Sequence, residues 1–429
     1  ALWGMAALLT VFSVLAMLAM PLLVLAMASG FAGDPRFDLA VTLGRIAFPY
    51  ILFISLTALL SGMLNSLGRF IVTSAVTILL SASLIVGMLM ANRFGWDMGR
   101  TLAWSVSVSG LLQMAVCWVA VRRTGYRLQF RWPHLTPELK RLAIIAAPAV
   151  LAGGVVQVNL IVGRQVASAT EGAMTWLFYA DRLYQLPLGV VGIAIGIVLL
   201  PELSRRLRAE DHDGARMAYN RGTEFALLLT LPAAVALVVI AWPIISVIYQ
   251  RGAFGADAAL ATSQALAAYA LGLPAFVLQK VLQPLYYARE DTRSPFRFAV
   301  WSMVVNAALA VGLMPLVGFL AAAIATSASA WVMVWQLWRG TRPMGDAARF
   351  DARFRARLPR IVAASALMGV VLWVLAWALS DLLTAPGLRS LALLGICLAG
   401  IVVYFGAAMA IGAMSLSELR ASLRRGSKS

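Results

Sequence analysis

Residues 176–206 read WLFYADRLYQLPLGVVGIAIGIVLLPELSRR, an apolar run long enough to cross a bilayer with Asp181 and Arg182 side by side inside it. A charge at the centre of a membrane helix costs about 2.5–3.5 kcal/mol on insertion scales, so such residues face a cavity or a partner. Adjacent residues on a helix point about 100° apart, which makes these two poor partners for one another. At least one of them needs a partner on another helix or in a ligand. An interhelical salt bridge and a contact to substrate both meet that need. Tyr184, Gln185, Pro187, Gly189 and Gly192 continue a polar, breakable stretch suited to a helix that bends.

The remainder of the chain has the same character. Of its 429 residues, 62% are apolar and 12% charged, with mean hydropathy +0.86. A soluble domain carries about 25% charged residues. Apolar runs predict twelve membrane helices, at 2–27, 39–64, 70–91, 101–121, 142–163, 173–200, 223–248, 258–287, 297–315, 318–338, 359–380 and 389–413. The gaps leave no room for a soluble domain. Backbone groups in lipid must bond internally, so the expected class is an all-α polytopic membrane protein without strands. Cys117 and Cys397 lie in apolar runs and His134 and His212 in polar gaps, which excludes a disulfide framework and a zinc site. No Walker loop, nucleophile elbow, H-E-x-x-H or dinucleotide fingerprint occurs. No cofactor is expected, and uphill transport would draw on the membrane potential or an ion gradient.

The net charge of +17 would suit a nucleic-acid partner only if the basic residues shared one solvated face. They sit instead in alternate gaps between apolar runs. Of 35 Lys and Arg, 26 fall in one set of gaps, including Arg205, Arg206, Arg208, Arg353, Arg357 and the tail after Ser417. Six fall in the other set: Arg36, Arg93, Arg100, Arg164, Arg251 and Arg389. The positive-inside rule makes the first set cytoplasmic, with the C-terminus inside, and no nucleic-acid partner is expected. Arginines at that surface also touch anionic lipid of the bilayer, at about 1 kcal/mol each.

The chain repeats itself at an offset of 222–225 residues. AMPLLVLAMASGF around Pro21 resembles AWPIISVIYQRGAF around Pro243, and FPYILFISLTALLSGMLNSLGRF from Phe48 resembles LPAFVLQKVLQPLYYAREDTRSP from Leu273. A repeat of six helices keeps both copies in one orientation, as in transporters built from parallel halves. The second copy begins near Lys140, so the first is expected to begin about 80 residues before Ala1, with two further helices there.

Three basic residues lie inside predicted helices: Arg45, Arg182 and Lys280. Arg45 lies one to two turns in, where a long side chain can snorkel outward or line a cavity. Lys280 stands with Gln279 and Gln283 near a cytoplasmic end, as a cavity wall or as interhelical glue. Gln157, Asn159 and Asn306 read as structural hydrogen bonds, and Gly153-Gly154 and Gly192/Gly196 as close helix contacts.

The stretch YADRLYQLPLGVVGIAIGIVLLPELS (179–204), together with 48–70 and LYYAREDTRSP (285–295), resembles the MurJ/MviN family. These are lipid II flippases of the bacterial inner membrane, within the multidrug/oligosaccharidyl-lipid/polysaccharide exporter superfamily. The resemblance implies fourteen helices in two six-helix lobes plus two C-terminal helices, about twelve of them present here. The lobes would be 1–121 and 142–338, the linkers 122–141 and 339–358, the last two helices 359–413 and the basic tail 414–429. It also implies a cationic cavity for the lipid II diphosphate, in which only the eighth-helix arginine has a counterpart, Arg182. Asp181 goes with it, Gln185 stands where members often carry Glu, and Arg45 and Lys280 are further candidates for substrate contact. Members that bind sodium use an Asp where this chain has Gly163. Asn306 and Thr326 match weaker ligands, with Ala310 in place of a carboxylate, so the implied sodium site is incomplete. A groove beside the last two helices would take the prenyl tail, and other cell-wall synthesis proteins are candidate partners. Two alternatives remain: an exporter of another polyprenyl-linked glycan or of drugs, and a membrane enzyme using His134, Glu138, Glu202 or Asp257. The expectation is a transporter, not an enzyme.

Overall fold

The computed structural model describes residues 2–125, 157, 161–385 and 387–414, and among them it contains helices and no strand. The helix predicted at 142–163 falls mostly outside these residues, as do Asn159, Gly153-Gly154, His134, Glu138 and the tail from 415. The chain divides into two compact units, Ala1–Gly153 and Gly154–Ser429.

The first unit holds α1 (Leu2–Leu18), α2 (Met20–Met27), α3 (Pro35–Ala47), α4 (Tyr50–Ser66), α5 (Phe70–Val76), α6 (Ile78–Phe94) and α7 (Met98–Arg123). The second begins, as described, with α8 (161–168), followed by the long α9 (Ala173–Arg208). Then come α10 (His212–Val239), α11 (Ala241–Tyr249), α12 (Ala256–Ala270), α13 (Leu273–Tyr287), α14 (Arg293–Val317) and α15 (Leu320–Gly340). The chain closes with α16 (Ala352–Ala378), α17 (Ser380–Thr384) and α18 (Arg389–Ala410). Nine helices or joined helix pairs among the described residues are long and apolar enough to span a membrane, and the bent pair α1–α2 makes a tenth. The molecule is therefore a multi-pass membrane protein.

Several helices run past their apolar cores because their ends are capped in water. Asp211 accepts from the amide of Gly214 and Asp351 from that of Phe354, satisfying first-turn donors that lipid could not. Hydropathy marks only the greasy part, so α16 begins seven residues before the apolar run that predicts it.

Prolines set the breaks, and the breaks recur. Pro21 sits at the start of α2, where α1 and α2 bend by 74°, and Pro243 lies just inside α11 after the break at Ile240. Pro49 separates α3 from α4, and Pro274 follows the break between α12 and α13. A broken helix leaves a carbonyl without its amide. In the first unit the Ser107 hydroxyl of α7 donates to the Ile46 carbonyl at 2.6 Å. In the second, the Ser327 hydroxyl of α15 donates to the Ala268 carbonyl at 2.6 Å. The two bonds are 222 and 220 residues apart, so the same side-chain solution serves the same break in both units. Gly272 at the second break admits that contact, since a Cβ there would lie 2.6 Å from the Ser327 oxygen and 2.9 Å from its Cα.

Candidate functional site

The site is built on α9. Gly172 starts this helix at φ +79°, and a Cβ there would lie 2.7 Å from the Trp176 ring, so both backbone and space require glycine. From there 36 residues run without interruption through Pro187 and Pro201. At 1.5 Å per residue that is about 54 Å, more than a bilayer core. One face is buried through Leu177, Ala180, Tyr184 and Val191. Thr175, Phe178, Arg182, Gln185 and Leu186 form an exposed stripe at helical spacing.

Arg182 stands nine residues into α9, about 14 Å along the axis. It makes no ion pair among the described residues, and its guanidinium lies 4.7 Å from the Phe178 ring centre, one turn back. Asp181 is half-buried and accepts from the Gln185 side-chain amide, with buried Tyr184 three residues on. Tyr184 in turn stacks on Tyr269 of α12 at 5.1 Å. Of the two partners expected for at least one of these charges, another helix or a ligand, another helix supplies none among the described residues: the Asp181 hydrogen bond and the Arg182 ring contact both lie within α9. The acid is held by the Gln185 side chain on the exposed stripe, and the guanidinium beside it makes no hydrogen bond among the described residues.

Lys280 is exposed on α13, and its Cγ lies 3.7 Å from where a Cβ of Gly192 would stand. It thus borders α9 ten residues beyond Arg182, about 15 Å along the axis. Gln279 beside it donates to the Ala330 carbonyl at 3.1 Å and serves as interhelical glue. Asn306 donates to the hydroxyls of Thr326 and Ser329 at 3.4 and 3.3 Å. The structure therefore brings Asn306 and Thr326 together, but as an amide donor facing hydroxyls, with Ala310 adding no oxygen. Gly163 adds none either. A hard cation asks for several oxygen ligands, and no group of three or more His, Cys, Asp or Glu able to hold a metal occurs among the described residues.

Arg45 belongs to the first unit. Rather than snorkelling, its Nε donates to the Met17 carbonyl at 3.0 Å. Met17 is four residues before Pro21, so it is the carbonyl that this proline leaves without an amide. Arg45 and Met17 border an apolar cavity of about 360 Å³ with Pro49, Phe53, Trp104 and Leu111.

The strongest charged cluster went unnoticed in the sequence. Glu224, buried in α10, is paired with Arg221, with Arg353 at 3.3 Å and with Arg357, and Arg221 also pairs with Asp351. Asn220 fastens the same linker, donating to the Arg349 carbonyl at 2.9 Å and accepting from the Asp351 amide at 2.9 Å. The signal was present: Arg353 and Arg357 share a helix face, and Glu224 falls just inside an apolar run. The enzyme alternative finds no assembled site among the described residues, since Glu202 is engaged by Arg205 and Arg206 at 2.6 Å and Asp257 opens α12.

This fold is that of a multi-pass transporter. It resembles a solved structure described as "Lipid II flippase MurJ, inward closed conformation", with TM-score 0.77 and 22% identity, covering 95% of this chain and 81% of that one. It also resembles an inward-facing multidrug resistance MATE family transporter of the MOP superfamily, with TM-score 0.65, 14% identity and 80% of each chain covered. The family model for "Lipid II flippase MurJ" matches residues 3–385, and the chain belongs to that family. A relative from Rhizobium meliloti (strain 1021), described as a probable lipid II flippase MurJ, is 44% identical over 406 residues, 93% of this chain and 76% of its own length. Membership in a family of flippases makes the protein a transporter and not an enzyme.

Proposed function

We propose that this chain carries lipid II, the undecaprenyl-diphosphate-linked peptidoglycan precursor, from the cytoplasmic to the periplasmic leaflet by alternating access. The observation that carries the reading is the family match across residues 3–385. The physical obstacle is a diphosphate-sugar headgroup that hydrocarbon cannot solvate. Arg182 meets it with a planar fork that binds two phosphate oxygens at once, on a stripe where it makes no ion pair among the described residues. Asp181 and Gln185 set the local charge around that fork, and Lys280 of the same unit is a secondary contact.

In this reading the protein sits in the bacterial inner membrane with its C-terminus in the cytoplasm, in two lobes at 1–121 and 142–338 with appended helices at 359–413. The driving force is the membrane potential or an ion gradient, and cell-wall synthesis proteins are its neighbours. Complementation of a flippase-depleted strain by the gene encoding this chain, scored by lipid II accessibility at the outer face, tests the substrate. Survival without lipid II reaching that face would favour another polyprenyl-linked glycan. Single cysteines at the exposed Glu171 and Ala209, in a Cys-free background, should label from opposite sides, Glu171 from the periplasm.

A further inference from the structure

Arg389 opens α18 and has no carboxylate partner among the described residues; its Nη1 donates to the Gln250 carbonyl, just past α11, at 3.2 Å. A basic residue in the first turn meets the positive end of the helix dipole, and no acidic residue shares that turn. The Gln250 carbonyl at the end of α11 answers one of its donors, and an added anion would answer the others.

Arg389 forms part of the wall of a cavity of about 320 Å³ between α11 and the C-terminal helices α16 to α18. Trp242, Ser246 and Gln250 line one side, and Ser380 and Thr384 the other. The Ser246 and Thr384 hydroxyls donate to the carbonyls of Pro243 and Asp381. The Gln250 side-chain amide and the Ser380 hydroxyl have no hydrogen bond among the described residues, which leaves them, with Arg389, as donors to an anion. The surroundings are lipid-like: Trp377 and Leu388, next in sequence to lining residues, are 74% and 49% exposed. Tryptophan and arginine together mark the headgroup level of a bilayer.

The other end of α16 has no such vacancy of charge. There Glu224 gathers Arg353 and Arg357 and fixes the C-terminal helices to α10 with groups of the protein's own. We propose that the Arg389 cavity holds the phosphate headgroup of an anionic membrane lipid, which joins α18 to α11 as the Glu224 cluster joins α16 to α10. The cavity requires both elements in place, so an occupied site holds the C-terminal helices against α11. This assignment does not depend on what the protein transports.

Native mass spectrometry of the purified full chain with phosphatidylglycerol, phosphatidylcholine or inorganic phosphate tests it. A charge-assisted fork supports an expected loss of about tenfold or more in phosphatidylglycerol affinity for Arg389→Ala. Arg389→Lys keeps part of the affinity. Thr384→Trp leaves the charge but fills the cavity at an exposed position, and it loses the lipid to a similar extent. Circular dichroism matching the unmodified chain shows that the variants are folded. Unchanged phosphatidylglycerol affinity in Arg389→Ala and Thr384→Trp overturns the site. Phosphatidylcholine binding as tightly as phosphatidylglycerol overturns the charge requirement, and inorganic phosphate displacing the lipid reassigns the cavity to a soluble anion.

Discussion

The two units solve the same structural problem and then differ. Each contains a proline-broken membrane helix whose orphaned carbonyl is caught by a serine, Ser107 on Ile46 in one and Ser327 on Ala268 in the other. Beside the first break stands Arg45, bonded to the Met17 carbonyl that Pro21 leaves open. At the offset of the serine-bonded carbonyls the second unit has Ala267, and its intramembrane guanidinium, Arg182, lies on α9 instead. Broken helices are thus the shared frame, while charge is what distinguishes the units. An arginine's role follows from what answers it: Met17 answers Arg45, Glu224 answers Arg353 and Arg357, and Arg182 makes no ion pair among the described residues.

The largest expected effect on stability comes from removing an answering group. Glu224→Leu removes the carboxylate that Arg221, Arg353 and Arg357 share, and removal of one partner from a buried ion cluster costs about 3–5 kcal/mol. Because Arg221 and Arg353 keep side-chain exposures of 28% and 43%, the expected loss is nearer about 2–3 kcal/mol, read as a lower melting temperature in detergent. No loss would mean that the cluster is surface decoration.

Arg45 sharpens the comparison next. Arg45→Leu should cost about 1–2 kcal/mol by leaving the Met17 carbonyl unpaired. In a Pro21→Ala background the helix can close its own bond, so the same substitution should then cost much less. Equal costs in the two backgrounds would show that Arg45 does not serve that carbonyl. Full stability with lost transport would move it to the substrate path.

The serine pair should give matched, smaller effects. Ser107→Ala and Ser327→Ala are each expected to lose about 0.5–1.5 kcal/mol in chemical unfolding, with similar values if the breaks are equivalent. A large difference between them would break the equivalence of the two copies.

The smallest effect lies outside the membrane. Asp291 accepts from the Ser294 amide at 2.9 Å, and that bond, with the Ser294 hydroxyl, holds its carboxyl below the usual carboxylate range. A folded value below the unfolded one means the stabilisation is present at neutral pH and lost as pH falls below the ordinary carboxylate range. Asp291→Ala should cost about 0.5–1 kcal/mol at pH 7 in melting experiments, with the gap closing in acid.

Much of this architecture was legible because lipid imposes length and periodicity. The spans, the prolines at 21, 49, 243 and 274, and the intramembrane Asp181 and Arg182 all stand out against a chain with 12% charge. What stayed hidden depends on tertiary neighbours. Nothing local to Ser107 or Ser327 says that each reaches a carbonyl about 60 residues upstream. The Glu224 cluster joins residues about 130 apart, and the arginines on its linker read as topology rather than as ion pairs. The Gln185–Asp181 bond stayed hidden for the opposite reason: it is local, one turn along the same helix, where hydropathy carries no signal.

The most direct measurement compares lipid II transport by Arg182→Ala, Arg182→Lys and the double variant Arg182→Ala with Asp181→Ala, each checked for expression and membrane insertion. Arg182→Ala should abolish transport. Arg182→Lys should keep part of it, because the charge remains and the fork does not. The double variant should fold, reach the membrane and still fail, since the missing partner is the diphosphate. Recovery of transport in the double variant, or normal transport by a well-expressed Arg182→Ala, would contradict the assignment of Arg182 to the substrate.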